Sequence, residues 1–344
     1  MRARRLALTM GDPAGIGPEI VLKALKAVAE RPAGARPELC VTGTRACLAD
    51  TAALLGMDEV RFVDGPAGAV WPEVAVVEAA SREAPTPPGI EGAEGGRLAY
   101  FAIEKAVALA RAGEVDALVT APLNKAALNA AGYHFPGHTE LLAHLCGTRG
   151  TVLMLAHGSF RVTHVTTHVA LDKVPGLVTP ERVRRVIELT LGALRQLGIE
   201  RPRVAVAALN PHAGEGGIFG RQDIEVTAPV VAALRAAGEA VEGPVPGDTV
   251  FVNLRGGHYD AVVAMYHDQG HIPVKLLGFD VDPETGRWRA LSGVNVTLGL
   301  PIIRTSVDHG TAFDIAGRGI ADATSMVEAI DYADQLSASG RTGR

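Results

Sequence analysis

Short, wholly apolar runs recur along this chain between longer amphipathic stretches, and no other feature restricts the fold as strongly. Leu6-Ala7-Leu8-Thr9-Met10, Ala117-Leu118-Val119-Thr120, Val204 to Leu209 and Ala261 to Met265 each read as a buried strand. Stretches of helical length lie between them: about Pro18 to Glu30, Leu98 to Arg111, and about Thr179 to Leu197, which opens on a Thr-Pro-Glu cap and first turn. Thr151 to Leu155 and Phe160 to Val165 read as adjacent strands, Ala80 to Gly96 as an exposed loop, and the last ten residues as a frayed end. This βαβα rhythm predicts an α/β fold, a largely parallel sheet covered by helices. At 344 residues the chain is too long for one small core, so two domains or one lobed unit is expected.

Composition removes whole classes of function. A formal net charge of -5 leaves no basic footprint for nucleic acid or an anionic membrane, and 4% aromatic residues supply no base-stacking platform. The basic start, Met1 to Arg5, lacks the apolar stretch and cleavage site of a signal peptide, and no run approaches the ~18 apolar residues of a membrane span. A cytoplasmic protein is expected. Cys40, Cys47 and Cys146 have no metal-ligand spacing and read as ordinary thiols in a reducing compartment.

Chemistry gathers where the apolar runs end. His168 stands in Thr166-Thr167-His168-Val169, His212 in Asn210-Pro211-His212-Ala213-Gly214-Glu215, and His267 in Tyr266-His267-Asp268-Gln269-Gly270-His271. Strand ends are where α/β proteins bind ligands, and three neutral imidazoles suit one divalent ion with a position left for substrate. Each could instead satisfy a loop hydrogen bond. Asp268 and Asp248 could orient a ligand or simply close turns, while His164 and His271 read as structural or peripheral.

Gly11 to Gly17 joins a strand to a helix with neither the dinucleotide fingerprint nor a P-loop, so a tight turn and a ligand loop both remain open. Pro136-Gly137-His138-Thr139-Glu140 opens a helix whose start could hold a phosphate or carboxylate, or could be a plain Thr139 cap. Lys275, Asn295 and Arg304 emerge near the histidine motifs and suit an anionic substrate.

Taken in order, these blocks resemble the 4-hydroxythreonine-4-phosphate dehydrogenase family of pyridoxal phosphate biosynthesis. The matching residues are Gly11-Asp12-Pro13-Ala14-Gly15-Ile16-Gly17-Pro18-Glu19, Thr120-Ala121-Pro122-Leu123-Asn124-Lys125, Gly137-His138-Thr139-Glu140, the three histidine motifs, and Arg304-Thr305-Ser306-Val307-Asp308-His309-Gly310-Thr311. The resemblance implies two α/β/α domains similar to isopropylmalate dehydrogenase. Residues 1–128 and 306–344 would form the cofactor side, 129–305 the metal, substrate and dimer side, with the active site in the inter-domain cleft.

It further implies a homodimer with a shared site, in which His168, His212 and His267 hold the metal and one of the three comes from the partner subunit. His138, Thr139, Lys275, Asn295 and Arg304 would bind substrate. His309, Gly310, Asp314 and Gly317 look like the adenosine loop of the isopropylmalate relatives, and an acid at Asp314 favours NAD over NADP. The implied reaction is metal-assisted oxidation of the secondary alcohol of 4-hydroxythreonine 4-phosphate, followed by loss of CO₂ to give 3-amino-2-oxopropyl phosphate. Lys275 and Asp268 are the candidates for proton transfer, and zinc, cobalt, nickel, magnesium and manganese all suit the site.

The segment 280–292 departs from the family pattern, and Gly270-His271-Ile272-Pro273 is similar to a branch that acts on D-threonate or D-erythronate 4-phosphate. That substrate class is the first alternative. A metal-dependent hydrolase or a phosphosugar-binding protein is the alternative from another class.

Overall fold

The computed structural model describes residues 3–66, 69–284 and 288–339. These divide into two compact units: unit 1 holds residues 3–151, 290–294 and 300–339, and unit 2 holds 152–284, 288–289 and 295–299. The strands, in chain order, are β1 Arg5–Thr9, β2 Glu38–Gly43, β3 Arg61–Asp64, β4 Glu73–Glu78, β5 Ala117–Thr120, β6 Val152–His157 and β7 Phe160–His164. They continue with β8 Val204–Ala207, β9 Val241–Val245, β10 Ala261–Ala264, β11 Phe279–Val281, β12 Trp288–Leu291, β13 Val294–Leu298 and β14 Ile303–Val307. The α-helices are α1 Gly17–Ala29, α2 Arg45–Leu54, α3 Ala93–Arg111, α4 Lys125–Ala130, α5 His138–Cys146 and α6 Val174–Leu177. They are followed by α7 Pro180–Gln196, α8 Ala228–Ala236, α9 Gly247–Arg255, α10 His267–Gly278 and α11 Thr324–Ser339.

In unit 1 the strand order is β3-β4-β2-β1-β5-β14, and every neighbouring pair is parallel. Parallel strands must be covered on both faces, and β5 is buried along its whole length. Ala7, Cys40, Ala75 and Leu118 pack under Ile103 and Val107 of α3 and Leu141 and Leu142 of α5. On the opposite face α11 lies along β14, where the Thr305 hydroxyl donates to the Ala329 carbonyl at 2.8 Å.

Helix α3 begins at Ala93, inside the stretch expected to be loop. Gly95 and Gly96 read as helix breakers, yet they serve close packing: a Cβ at Gly96 would stand 2.1 Å from the Ala127 carbonyl oxygen, and one at Gly95 2.4 Å from Asp12 Oδ1. Helix α11 continues to Ser339, so residues 335–339 are helical where a frayed end was expected, and 340–344 lie outside the described residues.

Unit 2 orders its strands β13-β6-β7-β10-β8-β9. The β6–β7 pair is antiparallel, whereas β7, β10, β8 and β9 pair in parallel. Leu155, Val162, Ala205, Val262 and Ala264 form a core with Val250 and Leu254 of α9 and Val274 of α10. Fully burying each Val or Leu contributes about 1.5–3 kcal/mol. Helix α7 covers the other face, where Thr163 and Thr190 hydroxyls meet at 2.9 Å, and its cap is as expected, with Thr179 Oγ1 accepting from the Arg182 amide. Within the unusual 280–292 segment, β11 and β12 form a separate two-stranded sheet, and 285–287 lie outside the described residues.

Gly96→Ala tests the α3 reading. The added methyl meets backbone that cannot rotate away, so the substitution is expected to destabilise by about 1–3 kcal/mol. Urea unfolding should show a lower midpoint with an unchanged slope.

Candidate active site

The ends of β7, β10 and β8 carry the imidazoles of unit 2. The chain leaving β7 is zipped to the end of β10: the Thr166 hydroxyl donates to the Met265 carbonyl at 2.8 Å, which carries His168 out exposed beside the start of α10. His267 is the first residue of α10, and its ring lies 5.5 Å from that of His168. Its Nδ1 is hydrogen-bonded to Asp268 Oδ1 at 2.7 Å, so Nε2 is the nitrogen turned outward. A carboxylate on the far nitrogen is the usual arrangement behind a metal-ligating histidine.

His271 and His164, expected to be structural or peripheral, complete a row of rings. His271 stacks on His267 with centroids 3.6 Å apart and planes within 13°, and His164 lies 4.7 Å beyond His271. Burial pushes the pKa of His164 down to about 3 and that of His271 to about 4, so both are neutral near pH 7.

His212 sits on an unusual backbone. His212, Ala213, Gly214, Glu215 and Gly216 are all left-handed, with φ between 43° and 81°. For the three non-glycine residues the penalty is roughly 1–2 kcal/mol each. What holds the turn is Asp223, fully buried, which accepts from the amides of Leu209 and Asn210 at 2.7 and 2.9 Å and from Asn210 Nδ2 at 2.9 Å. Gln269 closes the adjoining strand ends, accepting from the Met265 amide at 2.7 Å and donating to the Ala208 carbonyl at 2.8 Å. Neither residue was singled out from sequence. Gln269 joins the nearby Met265 amide to the Ala208 carbonyl on a different strand end, and Asp223 reaches back across the turn to Leu209 and Asn210, pairings that only the folded chain brings together.

His212, Asp248, Tyr266 and Asp268 line a cavity of about 630 Å³ that also bears Ile272 and Leu276. Among the described residues no three His, Cys, Asp or Glu side chains are grouped to hold a metal ion, so His212 does not join His168 and His267 within one chain. The donor chemistry fits an ion all the same: two imidazoles lie side by side, with a carboxylate on the far nitrogen of one. Lys275, on the same helix, has its ammonium 5.2 Å from the Phe279 ring, and Asn295 is half-buried on β13.

The remaining predicted site residues belong to unit 1. Arg304 on β14 is buried and donates to Thr120 Oγ1 from Nη2 at 2.6 Å, and burial lowers its pKa to about 9, leaving it a cation at neutral pH. His138 heads α5, behind an N-cap that is Gly137 rather than Thr139. Burial, and secondarily the charge of Arg304, holds its pKa well below the usual range, and its shielded Nε2 has no partner in the structure. A buried cation beside a neutral imidazole with an open nitrogen is suited to an anionic, hydroxyl-bearing ligand.

The Gly11–Gly17 segment is a packed turn. A Cβ at Gly17 would stand 2.4 Å from the Met10 carbonyl oxygen, and the Ile16 amide donates to the Thr311 carbonyl at 2.9 Å, docking the turn on the loop that follows β14. Asp12 within it is fully buried, its Oδ1 accepting from the Ala14 amide at 2.9 Å, and burial raises its pKa to about 6.

Of the expected cofactor residues, Gly317 lines a cavity of about 250 Å³ together with Gly15, Glu19, Asp50 and Arg82. His309, Gly310 and Asp314 are not among its lining residues: the His309 Nδ1 engages the Gly310 carbonyl at 3.0 Å, and Asp314 is exposed. The cavity's polar groups are already engaged with one another or with neighbours: Arg82 donates to Asp50 at 2.6 Å, and Glu19 accepts from Lys23 at 2.8 Å and from the Ala321 amide at 2.7 Å.

Residues 35–333 match the family described as pyridoxal phosphate biosynthetic protein PdxA. A Bradyrhizobium diazoefficiens protein, provisionally named a D-threonate 4-phosphate dehydrogenase, is 62% identical over 98% of each chain. The D-threonate 4-phosphate dehydrogenase of Pectobacterium atrosepticum is 48% identical over 96% of this chain and 99% of its own. A crystal structure of 4-hydroxythreonine-4-phosphate dehydrogenase from Klebsiella pneumoniae superposes with a TM-score of 0.82 at 45% identity, covering 97% of this chain and 98% of that one.

The buried neutral histidines set a pH dependence. Between the unfolded value of 6.5 and the folded value of about 3 for His164, the unfolded chain binds the proton and the folded one does not, so stability is lost as pH falls. The loss from this residue at pH 4.5 is about 2–3 kcal/mol relative to pH 7.5. Asp12, whose pKa is raised, acts in the opposite direction between 3.8 and about 6. Urea titrations at the two pH values should show the loss, and His164→Leu should reduce it.

Proposed function

The chain belongs to the PdxA family and is an oxidoreductase, and we propose that it oxidises the C3 hydroxyl of D-threonate 4-phosphate with NAD, the resulting 3-oxo acid losing CO₂. The observation that carries the reading is the paired imidazoles of His168 and His267, with Asp268 on the far nitrogen of the latter. The names of the 62% and 48% identical relatives support the four-carbon sugar acid as substrate. Loss of CO₂ from C1 of 2-hydroxy-3-oxo-4-phosphooxybutanoate leaves dihydroxyacetone phosphate.

Each set of residues has its part. Arg304, His138, Thr139, Lys275 and Asn295 are the residues assigned to the anionic substrate. His168 and His267, with His212 of a second copy, would hold a divalent ion, zinc, cobalt, nickel, magnesium or manganese. Bound there, such an ion supplies Lewis acidity toward the substrate hydroxyl and the electron pair left by CO₂. NAD supplies the hydride acceptor, and Gly317 lies beside the cavity assigned to it. Lys275, in its neutral amine form, would accept the hydroxyl proton, with the Asp268 carboxylate as the other candidate. The setting is the cytoplasm, in keeping with three free, buried cysteines.

The assembly proposed is a homodimer, a reading supported by the apolar surface beside the His212 turn, where Ile218 and Phe219 are 76% and 49% exposed. The second reading, 4-hydroxythreonine 4-phosphate as substrate, is favoured by the name of the Klebsiella enzyme.

Three outcomes test this. NADH formation is expected to be faster with D-threonate 4-phosphate than with D-erythronate 4-phosphate or 4-hydroxythreonine 4-phosphate, and the reverse order selects the second reading. Lys275→Met should lower kcat by about 10²–10⁴ if the lysine moves the proton, and full turnover removes it from that role. Phe219→Asp with Ile218→Asp should yield a folded monomer by light scattering that binds zinc weakly, whereas an active monomer replete with metal refutes the shared site.

A further inference from the structure

We propose that His271 is a positioning residue for His267, holding the outward imidazole in its working orientation, with His164 as the buttress behind it. The inference rests on the assignment of His267 as an ion ligand.

Asp268 fixes one edge of the His267 ring through Nδ1, but its side chain is 72% exposed, and an exposed carboxylate is a loose anchor. The face of the ring is held differently. His271 stands four residues further along α10, on the same side of the helix, and lies flat against the His267 ring at 3.6 Å and 13°. It is 8% exposed, so it is part of the packed interior rather than a group that meets substrate. Its Nδ1–H donates to the His267 carbonyl at 2.9 Å, which stops it from swinging out with a change of rotamer.

Support continues inward. His164 on β7 is fully buried, and its ring packs against the far side of His271 with centroids 4.7 Å apart. Room for it exists because residue 270 is glycine: a Cβ there would stand 2.3 Å from His164 Nε2. That Nε2 is shielded from solvent without a partner, a costly state for a polar atom where a leucine would pack without penalty. An imidazole at 164 is therefore explained by its flat shape and position in the row. The rings run from the sheet through α10 to the site, each fixed by the one beneath it, so the direction of His267 Nε2 is inherited from the core.

The test uses the full-length, metal-stripped protein titrated with Co²⁺, following affinity and the visible absorption of the bound ion, with His267→Ala, His271→Ala and His271→Phe compared by circular dichroism for retained fold. His271→Ala should weaken Co²⁺ binding by about 10–100-fold and alter the spectrum. His271→Phe, which keeps a flat ring, should restore most of both. In the metal-free protein the His267 ring protons should lose their upfield ring-current shift in His271→Ala. Parent affinity, spectrum and ring shift in His271→Ala would overturn the proposal, as would His271→Phe being as weak as His271→Ala. If His267→Ala alone binds Co²⁺ like the parent, the ligand assignment fails and the inference with it. Loss in His267→Ala with none in His271→Ala removes only the positioning role.

Discussion

A parallel strand buried on both faces can present polar chemistry only at its ends, and the backbone groups exposed there must be satisfied before any side chain can be aimed. In unit 2 that task falls to Gln269 and Asp223. Gln269 ties the Met265 amide at the end of β10 to the Ala208 carbonyl at the end of β8, and Asp223 gathers the amides of Leu209 and Asn210. With those ends closed, His267 can begin a helix and His212 can leave on a left-handed turn. Without them both histidines would sit on frayed backbone.

The left-handed turn has a mechanical meaning. Right-handed continuation from Pro211 would extend a helix, whereas six successive positive φ values, from His212 to Gly217, turn the chain the other way and leave His212 exposed on a stiff projection. Strain of that kind persists only where the surroundings over-determine it, and it gathers at functional sites. In the proposed dimer the projection delivers its imidazole to another copy, while His168 and His267 stay with the chain that made them. The two kinds of histidine thus differ in how they are held: one on strained backbone, the other backed by stacked rings.

Much of this was legible in the sequence for a physical reason. Runs such as Ala117–Thr120 and Ala261–Ala264 announce themselves because a strand covered on both faces can contain little else. The histidine motifs stood out because polar residues abruptly follow such runs. The start of α3 was hidden, since Gly95 and Gly96 are as consistent with a loop as with a helix pressed against Asp12 and Ala127. His271 reads from sequence as structural or peripheral, and its spacing from His267 places it on the same helix face, but its contact with that ring does not follow from spacing alone. Stacking depends on rotamers and on His164, which comes from a different strand. Asp314, chosen by likeness to an adenosine loop, is exposed, and only Gly317 of that set meets the neighbouring cavity.

The central claim is that one centre couples hydride removal at C3 to loss of the C1 carboxylate with help from a divalent ion. D-Threonate 4-phosphate carrying ¹³C at C1 tests it most directly, with labelled CO₂ and NADH followed together in metal-replete and chelated protein. The account predicts equal amounts of both products at equal rates, both abolished by chelation and both restored by adding back the ion. NADH formed without labelled CO₂, or turnover indifferent to chelation, would contradict it.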